Sequence, residues 1–240
     1  MIFAIGDIHG ELSKLQKLIH KILKIDNNCK LIFVGDYLDK GENSKIVLDY
    51  LENLKRDLDC TFLIGNHEFY WLNGNLQNDE YLLRFGGKQT IKSFKCKTVE
   101  ETRLKLLNDY QNFFENLIPY YIFGNYFISH SGFNPLIKEN DISEIDINNL
   151  LFNRYDFLKS NKFFLKKYKV VFGHTAFFEP YVDQFKIGID TGACFLKNQP
   201  LTSFCLDNNF FLNSNGCITN LSECSDSFCP SIIRNTPWRE

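Results

Sequence analysis

The chain has 240 residues, of which 44% are apolar, and its formal net charge is −2 at pH 7. These values predict one large or two small globular domains, which would bury roughly 70% of the unfolded surface. The small net charge and the lack of a long basic run argue against a basic surface of the kind that binds nucleic acid. No apolar run approaches the ~20 residues of a membrane span, and the first residues lack the basic start of a signal peptide. We therefore expect a cytoplasmic protein with no nucleic-acid partner and no membrane partner.

The first quarter of the chain alternates short apolar strands with amphipathic helices. Strands are predicted over residues 2–6, 31–34 and 61–65, and apolar residues at three- and four-residue spacing predict helices over 12–23 and 46–54. The central stretch, 31–41, runs from apolar residues directly into Gly35 and Asp36. Strand and helix in this order are typical of βαβ units, so a parallel sheet is expected.

The middle of the chain, about 69–118, is predicted to be mostly helical, with an interruption at Gly86 and Gly87. Its apolar spacing predicts one long helix over 104–117, ending before Pro119. Further strands are expected at 126–129, 170–173 and 187–189, followed by a hairpin of residues 201–206 and 210–212. We predict a domain over 1–212 and an irregular tail rich in Cys, Ser and Asn over 213–240.

Polar residues follow six of these predicted strands at the point where each strand ends. Four of the five histidines are among them, and the positions are Asp7 and His9, Asp36, Asn66 and His67, His130, His174, and Asp190. Open α/β sheets bind ligands at the carboxyl ends of their strands. A ligand set of two Asp, three His and one Asn favours Mn, Fe, Zn or Co. Six donors suit two divalent ions that share a carboxylate, about 3.5–4 Å apart.

Five short motifs carry a resemblance to a known family. They are Gly6-Asp7-Ile8-His9-Gly10, Gly35-Asp36-Tyr37-Leu38-Asp39-Lys40-Gly41, Gly65-Asn66-His67-Glu68, His130-Ser131-Gly132 and Gly173-His174-Thr175. In this order they resemble the bacterial type of the phosphoprotein-phosphatase (PPP) family of calcineurin-like metallophosphoesterases. That branch includes serine/threonine phosphatases and symmetrical diadenosine tetraphosphate hydrolases. The resemblance implies an α/β fold with a central β-sandwich flanked by helices, and an active site at the carboxyl ends of its strands.

The resemblance also implies a role for each motif residue. Asp7, His9 and Asp36 would hold one metal ion, and Asp36, Asn66, His130 and His174 a second. Independently of the resemblance, the mixed Asp, His and Asn ligand set makes manganese the expected metal. His67 would be the general acid, and Asp39 the carboxylate that orients it. Lys40, where the family usually has arginine, and Arg154 would bind the phosphate group. Lysine keeps the charge but lacks the two-pronged geometry of arginine, which affects phosphate binding rather than the metal site.

Three functions are compatible with this pattern. The first is a metal-dependent phosphomonoesterase, a serine/threonine or dual-specificity protein phosphatase, in which a hydroxide that bridges two metal ions attacks phosphorus directly. The second is a symmetrical bis(5'-nucleosyl)-tetraphosphatase. The third is a metal-binding regulatory module with weak catalysis. The expected partner is a phosphorylated protein or a small phosphate-containing substrate. The motifs do not decide between these substrates, because substrate choice depends on loops outside the motifs.

Overall fold

The computed structural model describes residues 1–133, 145–160 and 168–224. The chain begins with β1 (Ile2–Ile5), α1 (Leu12–Ile25), β2 (Lys30–Phe33), α2 (Ser44–Asp57), β3 (Asp59–Phe62) and α3 (Asn66–Leu72). Strand β2 pairs in parallel with β1 on one side and with β3 on the other. The expected βαβ units and parallel strands are therefore confirmed.

Four more helices follow, α4 (Leu76–Arg84), α5 (Gly87–Ser93), α6 (Val99–Asp109) and α7 (Gln111–Glu115). The predicted interruption at the two glycines is confirmed, because Gly86 has a φ of 109° directly before α5. The single long helix predicted over 104–117 is wrong. Tyr110 leaves the helical conformation between α6 and α7, and there its ring packs against Phe94 and its hydroxyl donates to Asp49.

The second half of the chain completes two sheets. Its elements are β4 (Tyr120–Phe123), β5 (Tyr126–Ser129), α8 (Asn148–Leu151), α9 (Tyr155–Lys159), β6 (Lys169–Phe172), β7 (Tyr181–Val182), β8 (Lys186–Gly188), β9 (Thr202–Cys205), β10 (Phe210–Asn213) and β11 (Ile218–Asn220). The strand orders are β11-β10-β9-β1-β2-β3 in one sheet and β4-β5-β6-β8-β7 in the other. The predicted hairpin is confirmed as β9 and β10.

The segment that we predicted as an irregular tail begins inside the first sheet. Strand β11 pairs with β10, and a turn of 3-10 helix follows at Leu221–Glu223. Residues 225–240 lie outside the described residues, so the domain boundary at residue 212 stays a prediction.

The two sheets pack face to face with helices outside them. Alternate residues of the central strands point to opposite sides. Ala4 and Ile32 of the first sheet share a buried cluster with Val171 of the second, whereas Phe3 and its neighbours pack against α1 and α2. This is the predicted β-sandwich flanked by helices. Among the described helices, none combines the length and apolar character needed to cross a membrane.

Candidate active site

Strands from both sheets end at one edge, where the six predicted ligands come together. The first sheet supplies Asp7 and His9 after β1, Asp36 after β2 and Asn66 after β3, and the second sheet supplies His130 after β5 and His174 after β6. Asp36 lies at the centre of this group. Its Oδ2 is 3.2 Å from Nε2 of His9, and its Oδ1 is 3.5 Å from Nε2 of His130. One carboxylate therefore faces donors on two sides.

Two groups of potential metal ligands share Asp36. One group is His9, Asp36 and His67, and the other is Asp36, His130 and His174, with the ligand atoms of each group all within 4.8 Å of one another. The amide oxygen of Asn66 joins the second group, at 2.8 Å from Nε2 of His130 and 3.0 Å from Nδ1 of His174. These groups could hold metal ions on either side of the shared carboxylate.

The carboxylate of Asp7 is in neither group. It accepts the backbone N–H of His174 at 3.0 Å and is almost completely buried. Burial raises the pKa of Asp7 well above its usual range, and the carboxylates of Asp190 and Asp36 raise it further. Buried carboxylates that repel one another are stabilised when a cation lies between them. The role of Asp7 as a metal ligand stays a prediction. A cation bound beside it would relieve the repulsion between its carboxylate and those of Asp190 and Asp36.

Backbone carbonyls fix the orientation of two imidazole rings. Nδ1 of His9 is 2.7 Å from the carbonyl oxygen of Leu38, and Nδ1 of His130 is 3.0 Å from that of Val34. A carbonyl only accepts, so each Nδ1 carries a proton, and Nε2 is the ring nitrogen that faces Asp36. Burial lowers the pKa of His9 to about 4, and the charge of Lys40 adds to this effect. A neutral imidazole such as that of His9 suits a transition-metal ion.

The predicted acid, His67, is held by a buried network. Its Nδ1 is 2.7 Å from Oδ2 of Asp39, and Oδ1 of Asp39 accepts from Trp71 Nε1 at 2.9 Å and from Thr90 Oγ1 at 2.6 Å. His67 and Trp71 lie one turn apart on α3, so they reach the same carboxylate. His67 Nε2 is buried and has no hydrogen-bond partner within the described ranges. A buried nitrogen without a hydrogen-bond partner, in one of the two ligand groups, fits a site built for a metal ion and its substrate.

A sequence model of the family described as "Calcineurin-like phosphoesterase" matches residues 1–210. The chain belongs to this family. It is therefore an enzyme of the metallophosphoesterase class, and the sandwich described above is the fold of that class.

Proteins named for different activities are similar to this chain in sequence or in fold. The protein is 26% identical over 217 residues to an asymmetrical bis(5'-nucleosyl)-tetraphosphatase PrpE of Oceanobacillus iheyensis, covering 80% of this chain and 83% of the relative. It is 26% identical over 161 residues to Shewanella-like protein phosphatase 1 of Plasmodium berghei, covering 61% of this chain and 42% of the relative. The crystal structure of a cold-active protein-tyrosine phosphatase of a psychrophilic Shewanella species superimposes with a TM-score of 0.61 and 18% identity, over 92% of this chain and 80% of that one.

Glu68 of this phosphoesterase is a site residue to which sequence reasoning gave no role. Its buried carboxylate accepts four backbone N–H groups, those of Asp36, Tyr37, Leu38 and Gly65, at 2.8, 2.9, 3.2 and 3.1 Å. It therefore fixes the loop that carries Asp36 and ties it to the start of α3. Glu68 is the last residue of a motif that the sequence shows, but its role could not be predicted, because the four backbone donors converge on Glu68 only after folding.

The backbone of the phosphoesterase site is strained at its functional positions. Seven non-glycine residues in the described ranges have positive φ, and five of them are His9 (45°), Asp36 (54°), Asp39 (68°), Lys40 (61°) and His174 (63°). Such conformations cost of the order of 1 kcal/mol or more each and concentrate at sites whose geometry the rest of the fold imposes. The strain therefore marks the same residues as the sequence motifs.

Two cationic side chains lie next to the ligand groups, one beside each group. Lys40 Nζ is 3.0 Å from Nε2 of His9, and it lies 4.9 Å from the centre of the Phe195 ring. A terminal nitrogen of Arg154 is 3.2 Å from Nε2 of His174. Both predicted phosphate-binding residues are thus brought to the site.

Proposed function

We propose that this phosphoesterase hydrolyses phosphomonoesters of phosphorylated proteins. The observation that carries the proposal is the pair of cations just described, one beside each ligand group. Lys40 Nζ and a terminal nitrogen of Arg154 lie within hydrogen-bond distance of His9 and His174, respectively. Two cations suit the charge of a single phosphoryl group, whereas a chain of four phosphates calls for more.

Different side chains of the site have different roles in the proposed reaction. Two divalent ions held by Asp7, His9, Asp36, Asn66, His130 and His174 would activate water and neutralise the phosphate, and manganese is the metal we propose. Lys40 and Arg154 bind the phosphate oxygens and stabilise the charge of the transition state. His67 gives its proton to the leaving oxygen from Nε2.

Asp39 prepares His67 for that step. Burial lowers the pKa of His67, but the nearby carboxylates of Asp36 and Asp39 outweigh this, and its pKa lies above the usual value. A protonated ring with Nδ1 bound to Asp39 keeps Nε2–H available for the substrate. The carboxylate thus favours both the charge and the orientation that a proton donor needs.

The second candidate is symmetrical cleavage of a dinucleoside tetraphosphate. It is favoured by the similarity to an enzyme named as a bis(5'-nucleosyl)-tetraphosphatase, although that relative is of the asymmetrical kind. A catalytically weak metal-binding module is the third alternative. The intact ligand set and the supported His67 argue against it.

A single assay separates these proposals. Protein stripped with a chelator and reloaded with Mn²⁺ is given phosphotyrosine and phosphoserine peptides and, separately, diadenosine tetraphosphate. We expect release of inorganic phosphate from phosphopeptide, loss of activity on chelation, and best recovery with Mn²⁺. Preferred cleavage of diadenosine tetraphosphate into two diphosphates would promote the second candidate. Protein that binds metal but hydrolyses none of the substrates would support the third.

A further inference from the structure

Four aromatic rings form a continuous surface beside the candidate active site, which we call the aromatic wall. Its members are Phe69, Tyr70, Tyr81 and Phe152. The Tyr70 ring lies 4.0 Å from the Tyr81 ring and 5.6 Å from the Phe152 ring, centre to centre, and Phe69 lies 5.6 Å from Phe152. Phe152 is 37% exposed, and the other three are half-buried. These rings are therefore not part of the sealed core.

The aromatic wall extends from the predicted proton donor towards the predicted phosphate-binding arginine. The Tyr81 ring lies 6.1 Å from the His67 ring, and the Tyr81 hydroxyl accepts from Nδ2 of Asn66 at 3.3 Å. At the other end, Phe152 precedes Arg154 by two residues. Phe69 and Tyr70 follow His67 on the same helix, so α3 supplies both the acid and half of the wall.

The leaving group of the reaction must lie on this side of the site. A general acid works only within hydrogen-bond reach of the oxygen that it protonates. The atoms bonded to that oxygen are consequently close to His67 and to its neighbour Tyr81. Aromatic rings bind another flat ring favourably, at centre-to-centre distances of about 4.5–7 Å. A charged phosphoryl group in the same place would need cations instead.

We propose that the aromatic wall binds the ring of an aryl leaving group, the phenol of a phosphotyrosine side chain. This rests on the proposed function, because it names the alcohol of the same phosphomonoester. In the reaction, a water oxygen bonds to phosphorus and the bond between phosphorus and the tyrosine oxygen breaks. The electron pair stays on that oxygen, His67 protonates it, and the products are inorganic phosphate and tyrosine. A phosphoserine leaving group offers one methylene to the wall and gains little from it.

The test compares two peptides that differ only in carrying phosphotyrosine or phosphoserine. The Mn²⁺-loaded full chain is assayed as wild type and as Tyr81→Leu, with Tyr81→Phe as the variant that keeps the ring but loses the hydroxyl. We expect Tyr81→Leu to lower the phosphotyrosine-to-phosphoserine ratio of kcat/KM by about 3- to 10-fold. Tyr81→Phe should keep the wild-type ratio. Metal content is measured in each variant, because Tyr81 contacts Asn66.

A second pair of variants covers the case in which Tyr81→Leu fails to fold. Phe152→Leu alters an exposed ring of the wall, and Phe178→Leu alters a ring that is 46% exposed and outside it. We expect the ratio to fall for Phe152→Leu and to stay unchanged for Phe178→Leu.

Equal losses on both peptides would overturn the inference but leave the proposed function standing. The inference would also be wrong if the wall variants impaired cleavage of diadenosine tetraphosphate most, since the wall would then bind adenine. Failure of the wild type to hydrolyse either peptide would instead refute the proposed function, and the inference with it.

Discussion

The change of Glu68 to glutamine tests how far the loop at Asp36 depends on one buried carboxylate. Oε1 accepts from Tyr37 and Leu38, and Oε2 accepts from Asp36 and Gly65. Glutamine keeps one acceptor oxygen, so two backbone N–H groups would face an amide NH₂ instead. Burial raises the pKa of Glu68 to about 8, so we take the cost of leaving a buried N–H group without an acceptor, about 1–3 kcal/mol, rather than the larger energy of a bond to a charged group. Two such groups should therefore lower the free energy of unfolding by about 2–6 kcal/mol, a large share of the ~5–15 kcal/mol of a typical domain.

Urea unfolding followed by the fluorescence of buried Trp71 measures this difference. Chelator is present throughout, so that metal binding does not add to the apparent stability. The matched control is Glu80→Gln, an exposed glutamate on α4, which should change the unfolding free energy by no more than about 0.5 kcal/mol. If Glu68→Gln is as stable as this control, the four hydrogen bonds do not hold the loop as we argue.

Three further substitutions test the assigned roles. Asp36→Asn should reduce turnover on the order of 10³-fold or more, because Asp36 faces both ligand groups, and elemental analysis should show less bound metal; a loaded and active variant contradicts the shared carboxylate. His67→Asn should reduce turnover by roughly 10²–10⁴ with metal retained, and the loss should shrink for aryl phosphates with better leaving groups. An equal loss across leaving groups would mean that His67 does not donate the proton. Lys40→Arg should lower KM or leave it unchanged, since arginine adds a second hydrogen bond to the same anion; a large rise in KM would show that the loop requires lysine.

The sequence predicted those parts of the site that local patterns determine. Each ligand candidate directly follows an apolar strand, so the place of Asp36 or His130 could be inferred without tertiary contacts. The hydrogen bond from Thr90 to Asp39 could not be predicted in this way, because Thr90 lies on a helix 51 residues further along the chain. The break at Tyr110 was missed for a similar reason, since the side-chain contacts there come from distant residues. Short strands such as Tyr181–Val182 have too few residues for a periodic pattern.

The division of the ligands between two sheets has a consequence for the stability of the whole fold. Asp36 and Asn66 follow strands of the first sheet, whereas His130 and His174 follow strands of the second. A cation held by all four would act as a removable cross-link between the halves of the sandwich. Its contribution would grow with free metal concentration, by about 2.7 kcal/mol at a hundredfold excess over Kd. The melting temperature would then report metal supply.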